Sequence, residues 1–208
     1  LVDLAIEEDL GRGDVTTEAV GASGPGQGAI LCRAATVACG LPVASWLVQR
    51  AGAPISVAPL VAEGETLAAG GSLLELRGPA AALLQLERTM LNFLQRLCGV
   101  ATQTRRFVDA VAGTGARIVD TRKTLPGWRR LDKYAVRVGG GANHRADLGS
   151  GILIKDNHLV ACGGVTAAVR RALAQAPHPL RVEVEVESLA EAEEAVAAGA
   201  EVLLFDEL

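Results

Sequence analysis

The chain has 208 residues, 50% of them hydrophobic but only 3% aromatic, and a formal net charge of −4 at pH 7. That length allows one large domain or two small ones with a real buried core, and the acidic balance argues against nucleic acid as the main partner. No stretch is apolar for long enough to span a bilayer: the segment from Ala34 to Val48 is broken by Thr36, Gly40, Pro42 and Ser45.

Asp3, Glu7, Glu8 and Asp9 open the chain, unlike a signal peptide. Cys32, Cys39, Cys98 and Cys162 fit neither a metal-ligand spacing nor a disulfide framework. They read as small apolar residues in a reducing compartment. The expectation is a soluble, cytoplasmic protein with no membrane partner.

Leu1 to Leu10 pattern as a short amphipathic helix, ended by Gly11 and Gly13. Gln27 to Cys39 reads as strand and about Leu41 to Ala51 as helix. Short strands punctuated by glycine turns follow, through "PISVAPLVAEGETLAAGGSLLELRGPA". Part of this stretch looks like a lipoyl or biotinyl carrier. Such carriers modify a lysine, and no lysine precedes Lys123, so a swinging-arm role is excluded. A long helix is predicted from about Ala80 to Ala112. Leu83, Leu86, Met90, Leu94, Leu97 and Ala101 recur at steps of three and four, a buried stripe, with Arg88, Asn92 and Gln95 away from it.

The texture then changes. "ARIVDTR" is strand-like, "LPGWRRLDKYAVRV" helical after Pro126, "GILIKD" a strand, "GVTAAVRRALAQAP" a helix, "LRVEVEVES" a strand, "LAEAEEAVAAGA" a helix and "EVLLFDEL" a strand. Alternation of this kind implies right-handed crossovers and a parallel sheet. The fold class is α/β, with a first domain over residues 1–112 and a partial β/α barrel over residues 113–208. Four predicted strands are too few to close a barrel.

In β/α barrels the reacting groups stand at the C-terminal ends of strands. Those ends carry Arg122 and Lys123; Lys155, Asp156, Asn157 and His158; Glu183, Glu185 and Glu187; and Asp206 and Glu207. Strand side chains alternate, so Val182, Val184 and Val186 share an apolar face and the three glutamates share the other. Inward carboxylates repel one another unless they meet cations or a metal. The alternative is an edge strand with its glutamates in water.

The only three lysines, Lys123, Lys133 and Lys155, sit in this half, beside the glycine run Gly139 to Gly141 and the pair His144-Arg145, whereas seventeen arginines are spread along the chain. Cations and carboxylates together suit a ligand with several anionic groups plus a divalent metal. Mg²⁺ takes one or two carboxylates and completes its shell with phosphates, which favours Glu185 and Asp206. Arg122, Lys123, His144, Arg145 and Lys155 would neutralise phosphates and carboxylates. The glycines would let backbone amides approach an anion, or serve as a turn. An RNA-binding role for the basic segment lacks clustered aromatic platforms.

"ERTMLNFLQRLCGVAT", "DTRKTLPGWRRLDKYAVRVGGGANHR", "ILIKDNH" and "VEVEVESL" together resemble the quinolinate phosphoribosyltransferases, in order and spacing, from about Leu4 to Asp206. The resemblance implies an N-terminal α/β sandwich beside an open, roughly seven-stranded barrel. It implies transfer of the phosphoribosyl group of phosphoribosyl pyrophosphate to the ring nitrogen of quinolinate, with decarboxylation, in NAD biosynthesis. It also implies Mg²⁺, and a homodimer or higher oligomer with shared sites. Arg122, Lys123, His144, Arg145 and Lys155 would line the substrate site, and Arg88 would reach into the partner's. Glu185 and Asp206 would serve metal, ribose and the developing sugar cation, and either Lys123 or Lys155 would assist decarboxylation. "IKDNH" favours the quinolinate enzyme over the related molybdenum-transport-associated proteins. Phe205-Asp206-Glu207 stands where the family usually reads "LDN", and the family continues past the equivalent of Leu208. The alternative expectations are a molybdenum-transport-associated or other pyridine-acid phosphoribosyltransferase paralogue, and a partial chain or non-catalytic copy.

Overall fold

The computed structural model of the chain describes residues 1–206. Contacts divide it into two compact units, Leu1–His144 and Arg145–Leu208. Residues 113–144, which the texture of the sequence groups with the second half, thus make their contacts with the first.

The first unit runs α1 (Val2–Leu10), α2 (Val15–Ala19), β1 (Pro25–Leu31), β2 (Thr36–Val37), α3 (Leu41–Arg50), β3 (Ser56–Pro59), β4 (Thr66–Leu67), β5 (Ser72–Pro79), α4 (Ala80–Ala110) and α5 (Arg129–Val138). β5 lies between β1 and β3 in an antiparallel sheet, and β2 pairs with β4 as a separate ribbon. Helix α4 buries Leu86, Met90, Phe93, Leu94, Leu97, Cys98 and Ala101, the expected stripe with Phe93 and Cys98 added and with Leu83 only partly buried at its start. Each large side chain so buried contributes about 1.5–3 kcal/mol. Pro79, extended at ψ 135°, ends β5 and starts α4. Gly113 and Gly115, at φ 82° and 79°, turn the chain after it.

Two contacts fix α3 and α5. The Glu63 carboxylate accepts from the amides of Leu41 (2.5 Å) and Gly40 (3.2 Å), so it serves the orphan donors at the start of α3. It also accepts from the Tyr134 hydroxyl of α5 at 2.6 Å. Burial, aided by that carboxylate, pushes the Tyr134 phenol above its ordinary range, which keeps it a donor. One residue pair along, Arg96 of α4 forks onto Asp132 at 2.9 and 2.8 Å. The same guanidinium lies 5.7 Å from the Trp128 ring, which stacks on Phe93 at 5.0 Å.

Helix α2 was not predicted. It is short, and Asp14 caps it, accepting from the amides of Thr16 (3.1 Å) and Thr17 (2.9 Å). The predicted strand "ARIVDTR" is reduced to a single parallel bridge, Val119 to Ala142. The partner segment supplies one extended residue between the glycine run and a side-chain network on Asp120, so no ladder can grow.

The second unit runs β6 (Ile152–Ile154), α6 (Asp156–Cys162), α7 (Val165–Gln175), β7 (Val182–Val186), α8 (Leu189–Ala198) and β8 (Val202–Phe205). Its strands form a parallel sheet in the order β6-β7-β8, so β7 is central. Val182, Val184 and Val186 are fully buried and pack with Val165, Ala168, Val169, Ala192 and Ala195 of the flanking helices. Helix α6 was read as the tail of a strand. The Lys155 amide donates to His158 Nδ1 at 2.9 Å, which caps α6 from its own first turn. The mixed α/β class, with an N-terminal sheet domain before a C-terminal α/β domain, is as the sequence predicts.

The glycine run is a packing device. A Cβ on Gly139 would lie 2.5 Å from the Ala101 carbonyl oxygen and 2.7 Å from Thr104 Cβ, both on α4. Gly139→Ala is therefore expected to lower the unfolding free energy by about 1–3 kcal/mol, as overpacking does. Urea denaturation checks this; an unchanged midpoint would show that α4 and this turn have room to separate.

Candidate active site

Parallel strands point the same way, so their C-terminal ends share a rim. In the second unit Lys155 directly follows β6, Glu185 lies near the end of β7 and Asp206 directly follows β8. Lys155 Nζ donates to Glu185 Oε2 at 2.5 Å, with side-chain exposures of 40% and 12%. The carboxylate is thus mostly withdrawn from water and its cation is partly at the surface. The central position of β7 removes the edge-strand alternative. Asp206 is exposed, and its amide donates to the Val186 carbonyl at 3.1 Å, which carries β8 one residue past its last strand pair. Glu207 lies outside the described residues. Arg145 Nη1 donates to the Gly151 carbonyl at 3.1 Å, and its stem packs beside Gly151. The Ser150 hydroxyl accepts from the amides of Ala146 (2.8 Å) and Asp147 (3.1 Å), which closes the intervening loop.

The first unit holds the other predicted residues. Arg122 is half-buried, and its Nε is a buried donor without a hydrogen-bond partner among the described residues. An unpaired buried donor on a cation is costly, and an anionic ligand would satisfy it. Lys123 is exposed, and its amide donates to Thr121 Oγ1 at 3.1 Å. Among the described residues no side chain accepts a hydrogen bond from Lys123 Nζ. His144 is anchored through its backbone: its amide donates to Asp120 Oδ1 at 2.8 Å and its carbonyl accepts from Lys133 Nζ at 3.0 Å. Arg88 stands on the exposed face of α4 and lines an open cleft of about 1350 Å³ against β1 and β5, with Arg33, Glu87, Gln95 and Arg106.

Two expectations change here. Lys133 belongs to no anion site. It is only 6% exposed and pairs with Asp120, so its charge is cancelled inside the protein. The glycine amides are also engaged: those of Gly139, Gly140 and Gly141 donate to the carbonyls of Ala135 (2.9 Å), Arg137 (3.0 Å) and Val136 (3.0 Å). They terminate α5 and do not present donors to a ligand. The hydrogen-bond network of Asp120, Lys133 and Asn143 about the His144 backbone is not foreseen in the sequence. Their separation in sequence carries no periodicity that would join them.

No three His, Cys, Asp or Glu side chains cluster as a metal cage among the described residues. Glu185 and Asp206 supply two carboxylates from neighbouring strands of one rim. Such a donor set fits a hard cation that takes its remaining ligands from phosphate and water, as Mg²⁺ does. Cys39 and Cys98 are poor nucleophiles. Burial pushes the Cys98 thiol up to about 11 and Cys39 higher still, and the Cys98 sulfur lies 3.3 Å from both the amide and the carbonyl of Cys39.

Comparison with known proteins accords with this arrangement. The family model described as quinolinate phosphoribosyl transferase, C-terminal domain, matches residues 100–208, and its N-terminal counterpart matches residues 14–98. The nicotinate-nucleotide pyrophosphorylase [carboxylating] of Mycobacterium leprae is 45% identical over 206 residues, covering 97% of this chain and 72% of the relative. The human protein of the same name is 40% identical over 208 residues, covering 99% and 69%. The solved structure of NadC from Streptococcus pyogenes superposes with a TM-score of 0.92 at 40% identity, covering 100% of this chain and 74% of that one. That of the nicotinate-nucleotide pyrophosphorylase from Francisella tularensis gives 0.93 at 35% identity, covering 100% and 73%. By these matches and by its fold, the chain belongs to the quinolinate phosphoribosyl transferase family.

Proposed function

We propose that this chain transfers the phosphoribosyl group of phosphoribosyl pyrophosphate to the ring nitrogen of quinolinate, releasing pyrophosphate and CO₂ and yielding nicotinate mononucleotide for NAD biosynthesis. The geometric observation that carries the reading is Arg122, a half-buried guanidinium whose Nε has no acceptor among the described residues. Quinolinate is a dianion, and phosphoribosyl pyrophosphate brings several further negative charges. A desolvated cationic donor held ready for an acceptor suits both.

Arg122, Lys123, His144, Arg145 and Lys155 bind and orient the two anions. Departure of pyrophosphate leaves positive charge on the ribose ring, and the Glu185 and Asp206 carboxylates stabilise it. These two would also hold Mg²⁺, which would supply positive charge to offset that of the departing pyrophosphate. The pyridine nitrogen forms its bond to the ribose carbon and becomes cationic. The 2-carboxylate then leaves as CO₂, and the electron pair it leaves on the ring carbon takes up a proton. Lys155 already donates to Glu185, so Lys123, which donates to no described side chain, is assigned to that proton transfer.

The wider frame belongs to the same proposal. Residues 113–208 form the catalytic half, part of an open β/α barrel, and residues 1–112 form the framework and dimer surface. The protein acts in the cytoplasm as at least a homodimer. Arg88, exposed on the wall of the cleft along α4, enters the partner's site.

Steady-state assays with phosphoribosyl pyrophosphate and either quinolinate or nicotinate test the reaction. Quinolinate is the expected substrate, with one CO₂ released per turnover; preference for nicotinate rejects the assignment. Lys155→Ala is expected to lower kcat/KM about tenfold or more, as for loss of a charge-assisted contact; unchanged kinetics remove Lys155 from the site. Inactive Arg88→Ala and Lys123→Ala proteins should regain part of the activity when mixed, because hybrid dimers contain one intact site. Absence of recovery after proven subunit exchange contradicts shared sites.

A further inference from the structure

The pair Asp120–Lys133 sits in the interior: the two side chains are 7% and 8% exposed. Their charges cancel, so the pair adds little to the field that attracts an anion. Nor is stability a sufficient account of it, since a buried ion pair is often no better than apolar residues of the same size. The geometry of the pair is its distinguishing feature, because both partners converge on one residue. Asp120 Oδ1 accepts from the His144 amide at 2.8 Å, and Lys133 Nζ donates to the His144 carbonyl at 3.0 Å. Asn143 joins them, its Nδ2 donating to Asp120 Oδ2 at 2.6 Å and to the Lys133 carbonyl at 2.9 Å.

Lys133 can hold His144 only if α5 itself is fixed. Its two chain neighbours do this from different directions. Asp132 takes the Arg96 fork from α4, and Tyr134 donates to Glu63, which caps α3. Successive residues of a helix point about 100° apart, so these three side chains anchor α5 on three sides. The Asp120 end is fixed as well: its amide donates to the Ala142 carbonyl at 3.1 Å, and the Ala142 amide donates to the Ile118 carbonyl at 2.8 Å. Both ends of the clamp are therefore set before any ligand binds.

We propose that Asp120 and Lys133 are positioning residues of the site, a buried pair that grips the His144 backbone at its amide and its carbonyl and so sets where the imidazole stands. The proposal rests on the reading of His144 as a substrate-binding residue. Preorganisation of this kind matters because a displacement of about 1 Å in a site can cost about a hundredfold in rate.

The test uses Asp120→Asn, Lys133→Met and the double variant, which keep shape while removing charge. Each is followed by thermal unfolding, by steady-state kinetics, and by the imidazole NMR signals, which are few because the chain has only three histidines. Each single variant should unfold at lower temperature, because it leaves one buried charge alone. The double variant should recover much of that loss, yet keep kcat/KM down about tenfold or more and show a displaced His144 signal beside unmoved His158 and His178 signals. A folded double variant with wild-type kcat/KM and an unmoved His144 signal overturns the proposal. Should the double variant not fold, Asn143→Ala, changed at an exposed side chain, carries the test. A displaced His144 signal with reduced kcat/KM supports the clamp, and wild-type values for both overturn it. The NMR signals are read without substrate, so a wild-type chain inactive on quinolinate rejects the reaction while the clamp is still decided.

Discussion

The alternation of β7 constrains everything at the rim. Val182, Val184 and Val186 are fully buried under α7 and α8, and their burial stabilises the unit by about 1.5–3 kcal/mol for each side chain. A slip of one residue would expose all three valines and drive glutamates into the apolar layer. The strand therefore has one permitted register, and that register sends Glu183 and Glu185 to the opposite face. A carboxylate placed there needs a cation, and Lys155 from the neighbouring strand end provides it. The pair at the strand ends is thus a consequence of core packing.

Charge in this protein is arranged by depth. The chain is acidic overall, and its few lysines have different roles. Lys133 is internal and neutralised by Asp120, Lys155 bridges interior and rim through Glu185, and Lys123 is at the surface. The arginines divide in the same way. Arg96 is a structural fork on Asp132, Arg145 braces the loop before β6, and Arg122 keeps one buried donor unsatisfied. The paired charges hold the frame, and Arg122 Nε, without an acceptor among the described residues, is available to a ligand. That division separates support from chemistry more clearly than the sequence positions alone.

Much of this was legible beforehand, for identifiable reasons. The α4 stripe and the β7 alternation are periodic, and burial follows period directly. Placing Lys155, Glu185 and Asp206 at strand ends followed from the same reading. What escaped depended on contacts between distant segments. Asp120, Lys133 and Asn143 are joined only by the fold. The role of Gly139 to Gly141 depended on how closely α4 approaches the end of α5. Helix α2 is too short for periodicity to register, and α6 starts abruptly because His158 caps its own first turn. "ARIVDTR" has the composition of a strand, but strand pairing needs a partner, and one extended residue at Ala142 is too little.

The central claim is that Arg122 holds a desolvated cationic donor ready for an anionic ligand. Determination of the crystal structure with quinolinate bound tests it most directly. The account predicts a ligand carboxylate oxygen about 2.7–3.2 Å from Arg122 Nε. Quinolinate bound beyond hydrogen-bond reach of Arg122 Nε would contradict it.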